Sequence, residues 1–229
     1  MAKVKELIYD VREAVRSYTD DAELEDRYIL YLYNIKRSKF LRQDLNNSQK
    51  TIDQSISQTF CLEMEEVSLD QCGLNYECGT LLRSKQIVPT PIDLHTKTAI
   101  TKVKPTSRLA VAFNFITKDR AQYLDSAPFA NALYSFLDDD GYIYAYSNMD
   151  SYKLLDCITV TGVFQDPTAL ADYQNCCQCK VTADTTCFDL DESEYPIQSH
   201  YIDVIREEIV RDIVRTKQIP EDKINDSTD

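Results

Sequence analysis

Residues 59–68 read TFCLEMEEVS, and this stretch divides the chain. Phe60, Leu62 and Met64 alternate with Cys61, Glu63 and Glu65, the period of two expected of a strand with one wet face. Before it the apolar spacing is helical. After it, as far as about residue 166, the segments are short and β-prone, punctuated by Cys72-Gly73, Pro89 to Pro91, Pro105 and Asp138 to Gly141.

Working back toward the N-terminus, Val4, Leu7, Ile8, Val11, Val15 and Tyr18 recur at the i, i+3, i+4, i+7 spacing of an amphipathic helix over residues 3–18. Asp20 followed by Glu23 resembles a capping box. It predicts a second helix over residues 21–45, with Leu24, Tyr28, Tyr31, Leu32 and Ile35 as its apolar stripe. The short link makes the pair a helical hairpin.

Working forward, residues 109–115, 142–147 and 157–164 are rich in β-branched and aromatic side chains and read as strands. Asp138-Asp139-Asp140-Gly141 reads as a turn whose glycine takes a positive φ. A meander or small barrel fits this segment. Residues 169–173 suggest a helical turn, and residues 176–196 an acidic, cysteine-bearing loop. Residues 199–217 form the last strong helix. Ile202, Ile205, Ile209 and Ile213 mark its stripe, widened by Tyr201, Val204, Val210 and Val214. A helix apolar on several sides needs more than one packing partner, either the hairpin or a neighbouring subunit. After Pro220 the polar tail is expected to order only against a partner.

The predicted fold class is α+β. A helical hairpin (residues 1–58) and a C-terminal helix with its polar tail (residues 199–229) form one helical body, from which a large β-rich insert (residues 59–198) projects.

Composition restricts function further. The chain has 229 residues and a formal charge of -13, which disfavours wrapping nucleic acid, because phosphate binding needs clustered Lys and Arg. No apolar run reaches membrane-spanning length, and the N-terminus lacks the apolar core of a secretory signal. The eight cysteines therefore read as reduced thiols of a cytosolic chain. The four glycines fall in no phosphate-cradling spacing.

Catalytic and metal chemistry find little support. His95 and His200 lie in no ligand motif and beside no evident nucleophile. Cys176, Cys177, Cys179 and Cys187 are the one group to test for zinc, but paired CxxC knuckles are missing. Asp138, Asp139 and Asp140 are better explained by their turn than by a metal. No catalytic, cofactor or metal residue is predicted. The basic cluster Lys36, Arg37, Lys39 and Arg42 reads either as a solvated helix face or as a contact with an acidic neighbour.

Several segments together resemble a known family. RYILYLYNIKRSKFLRQDLNN (27–47), CGLNYEC (72–78) with LLRSKQIVP (81–89), LHTKTAITKVKPT (94–106), FLDDDGYIYA (136–145) and SHYIDVIREEIV (199–210) are similar, in this order, to a virion structural protein of crAss-like phages of Bacteroides. The resemblance implies a non-enzymatic ring of the head-to-tail connector, adaptor-like, between portal and tail. It implies a homo-oligomer of about twelve copies around a DNA channel, touching the portal and adjacent tail or neck rings. An acidic lumen then lets DNA pass without specific binding. On this reading Lys36, Arg37, Lys39, Arg42, Ile205 and Ile209 serve subunit contacts. Ile213, Val214 and Ile219 anchor the portal, with Glu221 and Asp222 at the polar rim. The alternatives from other classes are a zinc-binding regulatory protein using the Cys176 to Cys187 group, and a hydrolase with a dispersed acid site.

Overall fold

A computed structural model describes residues 2–18, 24–47, 52–67, 80–95, 98–106, 111–121, 123, 133–147, 152, 155–173 and 191–217. Helix α1 spans Val4–Arg16 and α2 spans Asp26–Asn47. Seven strands follow: β1 Gln58–Val67, β2 Thr80–Ser84, β3 Ile100–Pro105, β4 Asn114–Phe115, β5 Leu133–Leu137, β6 Ile143–Ser147 and β7 Cys157–Gly162. The short α3, Lys118–Ala121, lies between β4 and β5, a 3-10 helix covers Thr168–Tyr173, and α4 spans Ser199–Lys217.

All seven strands belong to one sheet, in the order β3-β7-β1-β2-β6-β5-β4. Every pairing is antiparallel except the short β4–β5 ladder. The sheet curls until its two edges meet: the Phe113 N–H donates to the Val103 carbonyl at 2.8 Å, joining the start of β4 to β3. Closure of this kind leaves little unpaired edge. Phe60, Leu62 and Met64 of β1 point inward with Leu82, Val103, Leu133, Ile143, Ala145, Ile158 and Val160. The alternation read in residues 59–68 is therefore the barrel's inside and outside. Gly162 sits close against the entry to β3, where a Cβ would lie 3.0 Å from the Ala99 carbonyl oxygen.

On the outer face of β2, β5 and β6, Leu81, Phe136, Tyr144 and Tyr146 cluster with Ala121 of α3. This explains why every residue of β6 is buried. The helices form a separate layer. Val4, Leu7, Ile8, Val11 and Val15 of α1 and Ile29 and Tyr33 of α2 enclose Ile205, Ile209 and Ile213 of α4. A smaller cluster joins the layers: Leu41 and Leu45 at the end of α2 meet Ile56, Ile92, Ala99 and Val163.

The expected architecture, a helical body with a projecting β-rich insert, is overturned by this sheet. The β segment is a nearly closed seven-stranded barrel with its own core, and α1, α2 and α4 add a layer to it. The α2 stripe also needs correction. Its buried residues are Ile29, Tyr33, Arg37, Leu41 and Leu45, whereas Tyr28, Tyr31 and Ile35 are about half exposed.

Candidate functional site

In α2 the i, i+4 spacing of the buried stripe places one charged residue at its centre. Arg37 is fully buried, and its guanidinium donates to three main-chain carbonyls: Pro196 at 2.7 Å, Phe164 at 2.7 Å and Ile56 at 3.3 Å. These acceptors belong to the lead into α4, the exit of β7 and the entry to β1. The fork geometry of a guanidinium suits such divergent acceptors. Burial lowers its pKa from the ordinary arginine value, partly opposed by Tyr195 and Asp166. Around it, the Tyr195 hydroxyl donates to Asn34 Oδ1 at 2.7 Å, and Asn34 Nδ2 donates to Asp166 Oδ1 at 2.9 Å.

One residue before Arg37 on the helix, Lys36 Nζ lies 2.5 Å from Asp212 and 3.2 Å from Glu208 of α4, with Lys39 Nζ 3.7 Å from the same glutamate. The hydrogen bond to Asp212 is the leading cause of a raised Lys36 pKa. The basic cluster is thus divided by function. Arg37 holds the helical layer to the barrel, Lys36 braces α2 against α4, and Lys39 and Arg42 remain exposed.

Those two residues share a surface with the apolar side chains that left the core. Tyr31, Asn34, Ile35, Ser38, Lys39, Arg42 and Gln43 line a groove of about 540 Å³ between α2 and Gln165–Asp166. Tyr31 is 58% exposed and Ile35 45%, so the groove combines apolar floor with cationic wall. Helix α2 carries five basic and two acidic residues, a net +3 within a chain of -13. A second groove runs between α1 and α4, lined by Tyr18, Arg206, Val210, Arg211, Val214 and Arg215.

Ile205 and Ile209 are fully buried between the helices, and Ile213 is 3% exposed in the same core. Val214 is half-buried and lines the second groove. Ile219, Glu221 and Asp222 lie outside the described residues, as do Cys176, Cys177, Cys179 and Cys187. No group of histidine, cysteine and carboxylate side chains with metal-binding proximity occurs among the described residues.

His95 and His200 are both exposed, the latter's ring 4.1 Å from that of its neighbour Tyr201. Asp138 and Asp139 pair with Lys118, and these bonds, Asp138 first, raise the lysine's pKa. Asp140 accepts from the Tyr142 N–H at 2.9 Å and the Tyr144 hydroxyl at 2.7 Å. With Gly141 at φ 82°, the three aspartates build a turn. No helix of the described residues is long and apolar enough to cross a membrane.

The α2 groove is not visible in the sequence, because periodicity assigns its Tyr31 and Ile35 to the core stripe. Comparison with known proteins identifies the family. A curated relative, Ring protein 2 of Bacteroides phage crAss001, is 26% identical over 225 residues, which is 98% of this chain and 96% of that protein. The family profile described as phage tail ring protein 2 matches residues 6–229. The chain belongs to the phage tail ring protein 2 family and is a structural component of a phage virion.

Proposed function

We propose that this protein forms a homomeric ring of the head-to-tail connector, between the portal and the tail, and that the genome passes through its channel. The observation carrying this reading is family membership over residues 6–229. The charge of -13 supports it, because an acidic lumen offers exiting DNA few phosphate contacts. The protein acts as a scaffold and not as an enzyme. Its aspartate turn is occupied by Lys118, Tyr142 and Tyr144. Synthesis takes place in the host cytoplasm, followed by incorporation into the particle.

A closed ring requires each copy to offer two different, complementary surfaces. Lys39 and Arg42 belong to one of them, while Ile205 and Ile209 set the shape of the helical layer from inside. Portal attachment is assigned to the end of α4 and the residues after it, with Val214 and Ile219 as apolar anchors and with Glu221 and Asp222 at the rim. Cryo-electron microscopy of intact particles tests this assignment. A ring of this chain of about twelve copies, seated against the portal, is the expected result; a position at the distal tail overturns the connector reading.

A further inference from the structure

Helix α1 presents a surface that complements the α2 groove. Opposite its buried stripe it exposes Glu6, Tyr9, Asp10 and Glu13, spaced i, i+3, i+4 and i+7, with Tyr9 59% exposed. These residues place three carboxylates and one aromatic ring on the outermost face of the helix, Glu13 also accepting from Arg16 at 2.8 Å. On α2, Ile35, Lys39 and Arg42 span the same seven-residue interval, about 10 Å along a helix. One stripe is acidic and aromatic; the other is basic with an apolar floor.

We infer that in the ring the acidic stripe of α1 from one copy lies in the α2 groove of the next copy, with Tyr9 against Tyr31 and Ile35, and Asp10 and Glu13 facing Lys39 and Arg42. The inference rests on the ring reading above and specifies its contact. Three features of the chain support a second copy as occupant. The two stripes are opposite in charge and equal in length. They lie on different helices, as a head-to-tail contact demands. Each also exposes aromatic side chains, the residue class enriched at the centre of protein interfaces.

The test is a charge exchange. Asp10→Lys with Glu13→Lys reverses one face, and Lys39→Glu with Arg42→Glu reverses the other. Glu6 is left in place because its carboxylate accepts the Lys3 N–H at 3.0 Å and caps α1. Ring formation is measured by native mass spectrometry and sedimentation, with thermal unfolding as the check on folding. Each double variant is expected to raise the concentration needed for assembly at least tenfold. Mixing the two double variants, or combining all four changes in one chain, is expected to restore rings, because only matched faces regain complementary charge. Rings that survive both reversals, or that folded variants fail to recover on exchange, overturn the inference while leaving the ring reading intact. If the isolated wild type stays monomeric, copy number per particle is measured for the same variants in assembled virions. Absence of a wild-type ring there removes the ring reading and this contact together.

Discussion

The Arg37 guanidinium donates to the Phe164 carbonyl at 2.7 Å, so the middle of α2 is tied to the residues leaving β7. The same side chain reaches Pro196 and Ile56, and one arginine thereby spans both layers. Removing it leaves three buried acceptors with a lost partner and a void where its stem packed. Arg37→Ala is expected to lower stability by roughly 3–5 kcal/mol, read from chemical denaturation. Arg37→Lys should recover only part of this loss, because an ammonium cannot reproduce the planar fork. A loss below about 1 kcal/mol for the alanine variant, the net worth of a single ordinary hydrogen bond, would mean the three bonds contribute little.

Ile205 and Ile209 are fully buried against α1 and α2. Ile205→Asp and Ile209→Asp each place a carboxylate in an apolar core, at a cost on the order of several kcal/mol. Both variants are expected to be insoluble or to unfold well below the wild-type Tm. Soluble protein with an unchanged melting curve would show that the helical layer packs differently.

The sequence disclosed these elements unevenly, and the reasons are physical. Helix α1 was legible because Val4, Leu7, Ile8, Val11 and Val15 are all buried and, Tyr9 apart, its opposite face is charged. Helix α2 was legible as a helix but its buried stripe was not, since its apolar residues are distributed around the whole helix and the stripe contains an arginine. Periodicity cannot distinguish a tyrosine in the core from one at an interface. Strand β1 was read from its alternation, and the cores of β6 and β7 from their β-branched and aromatic runs. Strand β3 escaped notice because Lys102, Lys104 and Pro105 dilute its pattern. The order β3-β7-β1-β2-β6-β5-β4 depends on long-range pairing that no local signal encodes, so a meander and a small barrel fitted the segment equally and its place as an insert on a helical body did not hold.

At the start of α1, Glu192 pairs with both Lys3 and Lys5. The Lys3 hydrogen bond is the leading cause of its carboxyl pKa falling from 4.5 to about 2. A depressed folded-state value stabilises the fold above the unfolded pKa, and this contribution disappears as pH falls through the folded value. The attachment of α1 to residues 191–195 is therefore expected to weaken between pH 4.5 and about 2. Amide exchange at Val4 and Lys5, whose N–H groups donate to Ser193 and Asp191, should accelerate over that window. In Glu192→Gln the pH-dependent part of the acceleration should shrink; an identical profile would exclude Glu192 as its source.

Gly141 adopts φ 82° in the aspartate turn, and a Cβ there would lie 2.9 Å from Ile87 Cγ2. Ile87 is 53% exposed and can move aside, so the backbone conformation sets most of the cost. Gly141→Ala is expected to destabilise by about 1 kcal/mol, measured as a fall in Tm. Gly141→Asn should be milder, since asparagine tolerates the left-handed region better than alanine. Equal stability of all three chains would indicate that the turn relaxes to negative φ.

The C-terminal prediction separates folding from attachment. Ile213 is the last residue of α4 in the helical core, and the clusters that hold the described residues together end with it. Deleting residues 218–229 therefore leaves the barrel, the Arg37 bonds and the three-helix layer in place. The truncated chain is expected to be soluble, with a melting temperature close to that of the full chain. Attachment to the portal is expected to fail, because the truncation removes Ile219 together with Glu221 and Asp222. Val214 stays on the truncated protein, so Val214→Asp in the full chain probes the helix end separately. It should weaken attachment without unfolding the protein, as its side chain is half-buried and lines the groove with Tyr18, Arg211 and Arg215. Occupancy is counted by quantitative mass spectrometry of purified particles. Full occupancy of the truncated chain beside the portal would mean that the docking surface lies on the barrel or on the helices, and that the residues after Lys217 take no part in it.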